Sequence, residues 1–264
     1  FYTYLSSLFL VMEAAAENGQ VVVVLDRPNP HGHQIAGPVR SEKWKSFVGQ
    51  VPIPVLHGMT LGEMARLFNG EGWLEGGVQC DLIVIPCEGY AHSDAWYPQI
   101  APSPNLPTPE SIALYPSLCP FEPTVVSVGR GTPAPFECIG MPHGALGSFA
   151  FTPQPVPGAA PHPKHDGVTC FGQNLHGLGE EWMQSRSGFS WNAIPEYARM
   201  WQSAAPEEAF VTASSSLARL SGDESLEQVI NGELEQSEFV AGWLEGLHAF
   251  DALRQPYLLY PVQR

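Results

Sequence analysis

With 264 residues, 44% of them hydrophobic, the chain is long enough to bury the core of one large domain or two small ones. Its 27 acidic against 12 basic residues give a formal charge of −15, and the few Lys and Arg are scattered. That disfavours a nucleic-acid partner, because phosphate binding needs concentrated positive charge. No apolar run approaches the roughly 18 residues of a membrane span, and YLSSLFLVMEAAAEN is interrupted by serines and Glu13.

An anionic ligand would meet unfavourable long-range steering from such a chain and would need a local arginine or a helix N-terminus to hold it. The five cysteines, Cys80, Cys87, Cys119, Cys138 and Cys170, show no CxxC spacing and read as small core residues rather than a zinc site.

In chain order, FYTYLSSL reads as already inside a helix that ends near Asn18 and Gly19. A helix feeding a parallel sheet should follow a strand of its own, so the true amino terminus is expected upstream. The run VVVVL at 21–25 predicts a strand buried on both faces. Pro28 and Pro30 end it, so Asp26, Arg27 and Asn29 emerge just past the strand's carboxyl end, where open α/β sheets bind ligands. Pairing of Asp26 with Arg27, or capping of the turn, is the competing reading.

After a Gly- and Pro-rich loop, HGMTLGEMARLFN predicts a helix start. Thr60 and Glu63 have capping-box spacing, and Leu61, Met64, Ala65 and Phe68 fall on one face. DLIVIP at 81–86 is a second buried strand, and the order helix, strand, helix, strand predicts a right-handed parallel α/β unit.

From 98 to 165 prolines crowd the chain. Thr108 and Pro109 read as the cap and first position of a short helix reaching Tyr115, and VVSVG, PFECIG and GVTCFG as short strands. The last third is helical, with stripes at Trp191, Ile194, Tyr197, Ala198 and Trp201, at Leu226, Val229 and Ile230, and at Phe239, Trp243, Leu244, Leu247 and Phe250. A domain boundary is placed near residue 140, dividing 1–140 from 141–264.

Several residues could carry chemistry. His31 and His33 lack a third ligand of diagnostic spacing and read as a surface loop. His57 precedes a helix N-terminus and is a candidate for binding an anion, with a plain turn histidine as the competing reading. No G-x-S-x-G elbow occurs, and no G-x-G-x-x-G follows a strand, which weakens a nucleotide-dependent enzyme. Hydrolysis by paired carboxylates needs only two acids close in space, and Asp26, Glu122 and Glu137 are the candidates at loop and strand ends. Glu63 reads instead as the reciprocal capping-box residue. In GRGTPAPFE at 129–137, glycines flank Arg130 and let its guanidinium project as a fork for a carboxylate; a salt bridge to a neighbouring acid is the alternative.

The segments FYTY at 1–4, VLDRPNP at 24–30, SFVG with PIPVLHGMTLGE at 46–63, SPN at 103–105, GRGTPAPFECIG at 129–140 and PYLLY at 256–260 together resemble one family, the bacterial exo-β-N-acetylmuramidases of the NamZ type. The resemblance implies a partial Rossmann-like parallel sheet, followed by a smaller mixed α+β domain with a helical C-terminal part. It implies an active site in a cleft between domains and a glycoside hydrolase that releases N-acetylmuramic acid from non-reducing ends of peptidoglycan fragments. No cofactor is expected, and the location is expected to be periplasmic or extracellular.

Arg27, Asn29, His57, Asn105 and Arg130 are then expected to bind substrate, with Arg130 or Arg27 holding the lactyl carboxylate of muramic acid. Three departures stand out. The family's G-P-E-H-type segment, with its acid, has no equivalent here; Ala36 in QIAGP replaces the acid of a V-E-G-P segment; and EPTV at Glu122 replaces E-G-T-N. A binding or scaffold descendant that lost its acids is therefore the alternative function.

Overall fold

The computed structural model describes residues 3–143 and 147–262, so Phe1 and Tyr2 of FYTY lie outside the described residues. In chain order the elements are α1 (Thr3–Glu17), β1 (Val21–Leu25), β2 (Ala36–Val39), β3 (Pro54–Leu56), α2 (Leu61–Gly70), β4 (Asp81–Ile85), α3 (Pro109–Leu118), β5 (Cys138–Met141) and β6 (Phe149–Phe151). There follow β7 (Cys170–Asn174), α4 (His176–Ser185), α5 (Ala193–Ala204), α6 (Ser214–Ser221), α7 (Ser225–Ile230), α8 (Gln236–Ala241) and α9 (Trp243–Arg254). They form two compact units. The first runs through Trp96 and takes in Arg219–Asp223 and the stretch from Val240; the second holds Tyr97–Ala218 and Glu224–Phe239. Residue 140, where the boundary is placed from the sequence, lies within the second unit, and the onset of the proline-rich stretch at 98 lies beside the start of that unit at Tyr97.

In the first unit, β1 and β4 pair in parallel, Val21 opposite Asp81 through Leu25 opposite Ile85, as the helix, strand, helix, strand order predicts. The helices α1 and α2 cover one face, with Phe9, Met12, Val24, Met64, Ala65, Leu67 and Phe68 buried together. Phe9 meets Phe68 edge to face at 5.2 Å between centroids. Full burial of each ring contributes about 1.5–3 kcal/mol.

The expected burial of β1 on both faces is not met. Val21, Val23 and Leu25 are 50%, 54% and 71% exposed, and Ile83 and Ile85 are nearly half exposed. A strand with period-two side chains needs an element on each side, and no described residue covers this outer face.

The Thr60–Glu63 capping box is present in both directions. Glu63 is fully buried and also accepts from His92 Nε2 at 2.9 Å and from the Leu259 amide at 2.8 Å. Burial alone would raise its carboxyl; the bonds from His92, Leu259 and Thr60 hold it below the usual carboxylate value.

In the second unit, β7 lies between β5 and β6 in an antiparallel sheet. PFECIG and GVTCFG therefore supply strands as expected, whereas VVSVG contributes only the single bridge from Ser127 to Gly140. Thr108 and Pro109 start α3 as the cap and first residue, with Ser111 completing a second capping box. The helix runs past Tyr115 to Leu118 and packs along α4. A Cβ on Gly179 would lie 2.9 Å from the Glu110 Cβ, so a glycine there lets α4 approach α3 closely. The buried stripe Ile194, Tyr197, Ala198 and Trp201 lies on α5, and the Trp191 indole donates to the Pro116 carbonyl at 3.0 Å. Cys80, Cys119, Cys138 and Cys170 are buried free thiols, and Cys87 is half-buried.

Candidate active site

Asp26 leaves the end of β1 and meets the N-terminus of α2. One carboxylate oxygen accepts from the Thr60 hydroxyl at 2.7 Å and the Tyr260 hydroxyl at 2.6 Å, and the other from the Gly62 amide at 2.8 Å. A carboxylate here satisfies an unpaired helical N–H and the positive end of the helix dipole. Its partners are thus α2 and Tyr260 rather than Arg27, and its acceptor sites are largely taken by anchoring. Burial and the bond to Asp26 push the Tyr260 phenol well above its ordinary value.

Arg27 beside it is exposed and makes no hydrogen bond or ion pair with the described residues, which leaves its guanidinium available. Asn29 ties two loops together: its amide donates to the Met59 carbonyl at 2.9 Å, and its oxygen accepts from the His31 amide at 2.9 Å. His31 is buried, not part of an exposed loop as the sequence suggests.

His57 lines a cavity of about 80 Å³ with Arg40, Ser6 and Arg219. Its Nδ1 accepts the Met59 amide at 3.2 Å, and burial pushes the imidazole down to about 3. At neutral pH His57 is an uncharged donor through Nε2, so it does not supply a cation for an anionic ligand.

The second unit holds Asn105, Glu122, Arg130 and Glu137. The Asn105 side chain donates to the Ala159 carbonyl at 2.8 Å and fixes the SPN turn to the proline-rich loop. Arg130 projects between Gly129 and Gly131, both at positive φ, and its Nη1 donates to Glu122 Oε1 at 2.8 Å. The salt bridge weighed against ligand binding is therefore present, and it joins an expected acid to an expected cation. The pairing engages one guanidinium nitrogen and leaves the rest of the fork, in a side chain 41% exposed.

Both residues line a pocket of about 390 Å³, with Ser127, Ala160, His162 and Lys164. Lys164 was not singled out from the sequence. Its ammonium donates to the carbonyls of Glu122 and Val126 at 2.9 Å each, and to those of Thr124 and Phe121. Burial lowers it to about 8. Arg130 and Lys164 outweigh Glu122, so this concavity carries local positive charge in an acidic chain.

Glu137 closes the GRGTPAPFE loop with its carboxylate buried. One oxygen accepts from the Thr108 hydroxyl at the cap of α3, and the other from His176 Nδ1 at 2.7 Å at the start of α4. The preceding Phe136 is buried at φ 60°, a left-handed conformation costly for a bulky residue, and packs edge to face on Tyr115 at 5.0 Å. His176 is half exposed, and the bond to Glu137 raises its imidazole above the ordinary histidine value.

Sequence reasoning missed His176. The only local signal is Asn174, whose side chain accepts the His176 amide at 3.0 Å and opens the helix. Its partner Glu137 is 39 residues away and shares no spacing with it.

Glu110, Glu137 and His176 bring one ligand atom each within 4.8 Å of one another, and among the described residues they are the one group that could hold a metal ion. Glu110 lies in the first turn of α3 and His176 begins α4. Both helix ends favour an anion over a cation, and the Glu137 carboxylate already occupies that position.

Comparison with known proteins agrees across the chain. Residues 1–110 match the family described as exo-beta-N-acetylmuramidase NamZ, N-terminal, and residues 113–260 match NamZ, C-terminal. The peptidoglycan beta-N-acetylmuramidase NamZ of Bacillus subtilis (strain 168) is 34% identical over 98% of this chain, which spans 64% of that protein's length. Two crystal structures of DUF1343 family proteins from Bacteroides fragilis NCTC 9343 share the fold. One has a TM-score of 0.91 and 39% identity, covering 100% of this chain and 72% of its own; the other has 0.78 and 25%, covering 98% and 71%. With both halves of the NamZ pattern in order over nearly its whole length, the chain belongs to the NamZ family.

Proposed function

We propose that this chain is a glycoside hydrolase of peptidoglycan turnover, releasing N-acetylmuramic acid from the non-reducing ends of muropeptide or glycan fragments in the periplasm or outside the cell. Family membership and the Bacillus subtilis relative support the reaction class. The observation that carries the substrate is Arg130, held by Glu122 in the 390 Å³ pocket with unused donors and Lys164 nearby. Muramic acid differs from glucosamine sugars by a lactyl carboxylate, which the free part of the guanidinium fork can accept. A concavity of that size suits one sugar ring.

Ala36 and the engagement of Asp26 by α2 favour a second reading, a muramyl-glycan-binding protein without catalysis. The test is chromophore release from para-nitrophenyl N-acetylmuramide beside the N-acetylglucosaminide, with binding of free N-acetylmuramic acid followed by calorimetry. Hydrolysis of the muramide alone supports the enzyme. Binding without hydrolysis selects the second reading, and neither binding nor hydrolysis removes both.

A further inference from the structure

We infer that His176 is a proton-transfer group for glycosidic cleavage and that Glu137 is its positioning residue; this rests on the glycosidase reading above. Glu137 was expected to act directly as a catalytic acid. Glu137 is only 5% exposed and both its carboxylate oxygens already accept hydrogen bonds, so it is not placed to act on a sugar directly. His176 is the member of the pair that faces outward. A carboxylate offers only lone pairs, so Nδ1 carries a proton toward Glu137 and Nε2 points away as the exchangeable site.

A surface salt bridge would be an equally simple account of the contact, but such a bridge contributes little to stability. Here the loop holds Phe136 in a strained left-handed conformation directly before Glu137, and Gly179 lets α4 close on α3 beside His176. A buried carboxylate that fixes the tautomer and orientation of an exposed imidazole is the arrangement proton transfer requires. The same loop carries Arg130 at its other end. Three carboxylates face the imidazole: Glu137 from the loop, Glu110 from α3 and Glu180 from α4, the last 4.0 Å from Nε2. All three favour the protonated ring, the form that donates.

In the step, the C1–O glycosidic bond breaks and its electron pair goes to the leaving oxygen, which takes the Nε2 proton. A water molecule then bonds to C1 and returns one proton to Nε2, so the overall reaction is hydrolysis with the histidine unchanged.

The experiment compares wild type, His176→Gln, Glu137→Gln and Glu110→Gln of the full chain on two aryl N-acetylmuramides, one with a dinitrophenyl leaving group and one with phenyl. The phenyl oxygen needs a proton to depart, and the dinitrophenyl oxygen does not. His176→Gln is expected to lose about 10²- to 10⁴-fold on the phenyl substrate and less than about tenfold on the other. Glu137→Gln should move the basic limb of the kcat/KM profile to lower pH, and Glu110→Gln should move it less. His176 is half exposed, so circular dichroism melts should show the variant folded.

Equal losses on both substrates, or an unmoved pH limb in Glu137→Gln, overturn the inference while leaving the glycosidase reading intact. Loss of wild-type turnover on treatment with a chelator would overturn it in favour of a metal held by Glu110, Glu137 and His176. A wild type that cleaves neither substrate overturns the glycosidase reading itself, and the proton-transfer role with it.

Discussion

The Tyr260 hydroxyl donates to Asp26 at 2.6 Å across 234 residues of chain, tying the far end of the sequence to the end of β1. The acceptor is a carboxylate, and such charge-assisted bonds contribute more than neutral ones. Tyr260→Phe is expected to lower the free energy of unfolding by about 1.5–3 kcal/mol. Urea unfolding should show a lower midpoint with an unchanged slope; an unmoved midpoint would mean that Thr60 and Gly62 hold Asp26 without help.

Gly62 should resist the substitution that helix propensity favours. Alanine is about 1 kcal/mol better than glycine inside a helix, yet a Cβ at Gly62 would lie 2.5 Å from the Val84 side chain and 2.8 Å from the Asp26 carboxyl carbon. Gly62→Ala is therefore expected to destabilise, with a thermal melt several degrees lower. A gain in stability would show that β4 and the Asp26 loop can retreat together.

Lys164 makes a pH-dependent contribution of defined sign. Its folded value of about 8 lies below the ordinary lysine value of 10.5, so between those limits the unfolded chain binds more protons than the folded one. Stability from this group rises with pH across that window. Lys164→Met should abolish the rise and leave the carbonyls of Glu122, Thr124 and Val126 without their ammonium donor, at a cost of about 1–3 kcal/mol for each one left buried and unpaired, while the Phe121 carbonyl still accepts from the Thr124 amide and hydroxyl. Denaturant midpoints at pH 7.5 and pH 10 for both proteins check the sign.

His57 acts at the acid end. Burial lowers it from 6.5 to about 3, so the folded chain resists a proton that the unfolded chain accepts. Stability should fall as pH drops from 6.5 toward 3, and His57→Gln should flatten that part of the profile. An identical acid slope in the variant would assign the whole effect to carboxylates.

Glu122→Gln should separate stability from binding. The Glu122–Arg130 pair is partly exposed and its loss should cost at most about 1 kcal/mol. Affinity for N-acetylmuramic acid should nonetheless drop if Glu122 orients the fork. An unchanged affinity would place the carboxylate-binding group elsewhere, and Arg27→Met would test the second arginine expected to hold the lactyl carboxylate.

What could be read from the sequence was local. Thr60 with Glu63 and Thr108 with Pro109 are start signals within four residues, and each begins a helix where expected. VVVVL and DLIVI pair as their composition suggests, but apolar content alone does not reveal how many faces are covered, and no described residue covers one of them. The candidate site was legible by residue type and not by partner. Glu122, Arg130, Glu137 and Asp26 were named, yet the ties of Glu137 to His176 and of Asp26 to Tyr260 span 39 and 234 residues and leave no periodic trace. Lys164 was hidden because its partners are backbone carbonyls, which every residue possesses.

The open face of the β1–β4 pair bears on how the protein behaves in concentrated solution. Among the described residues, nothing covers five valine, leucine and isoleucine side chains there or pairs with the outer edges of the two strands, and such a surface is a template on which a second folded molecule can add. At neutral pH the charge of −15 keeps like molecules apart. Near the isoelectric point of about 4.9 that repulsion vanishes, so turbidity there would record folded chains adhering through this face, and raising the pH should redissolve them.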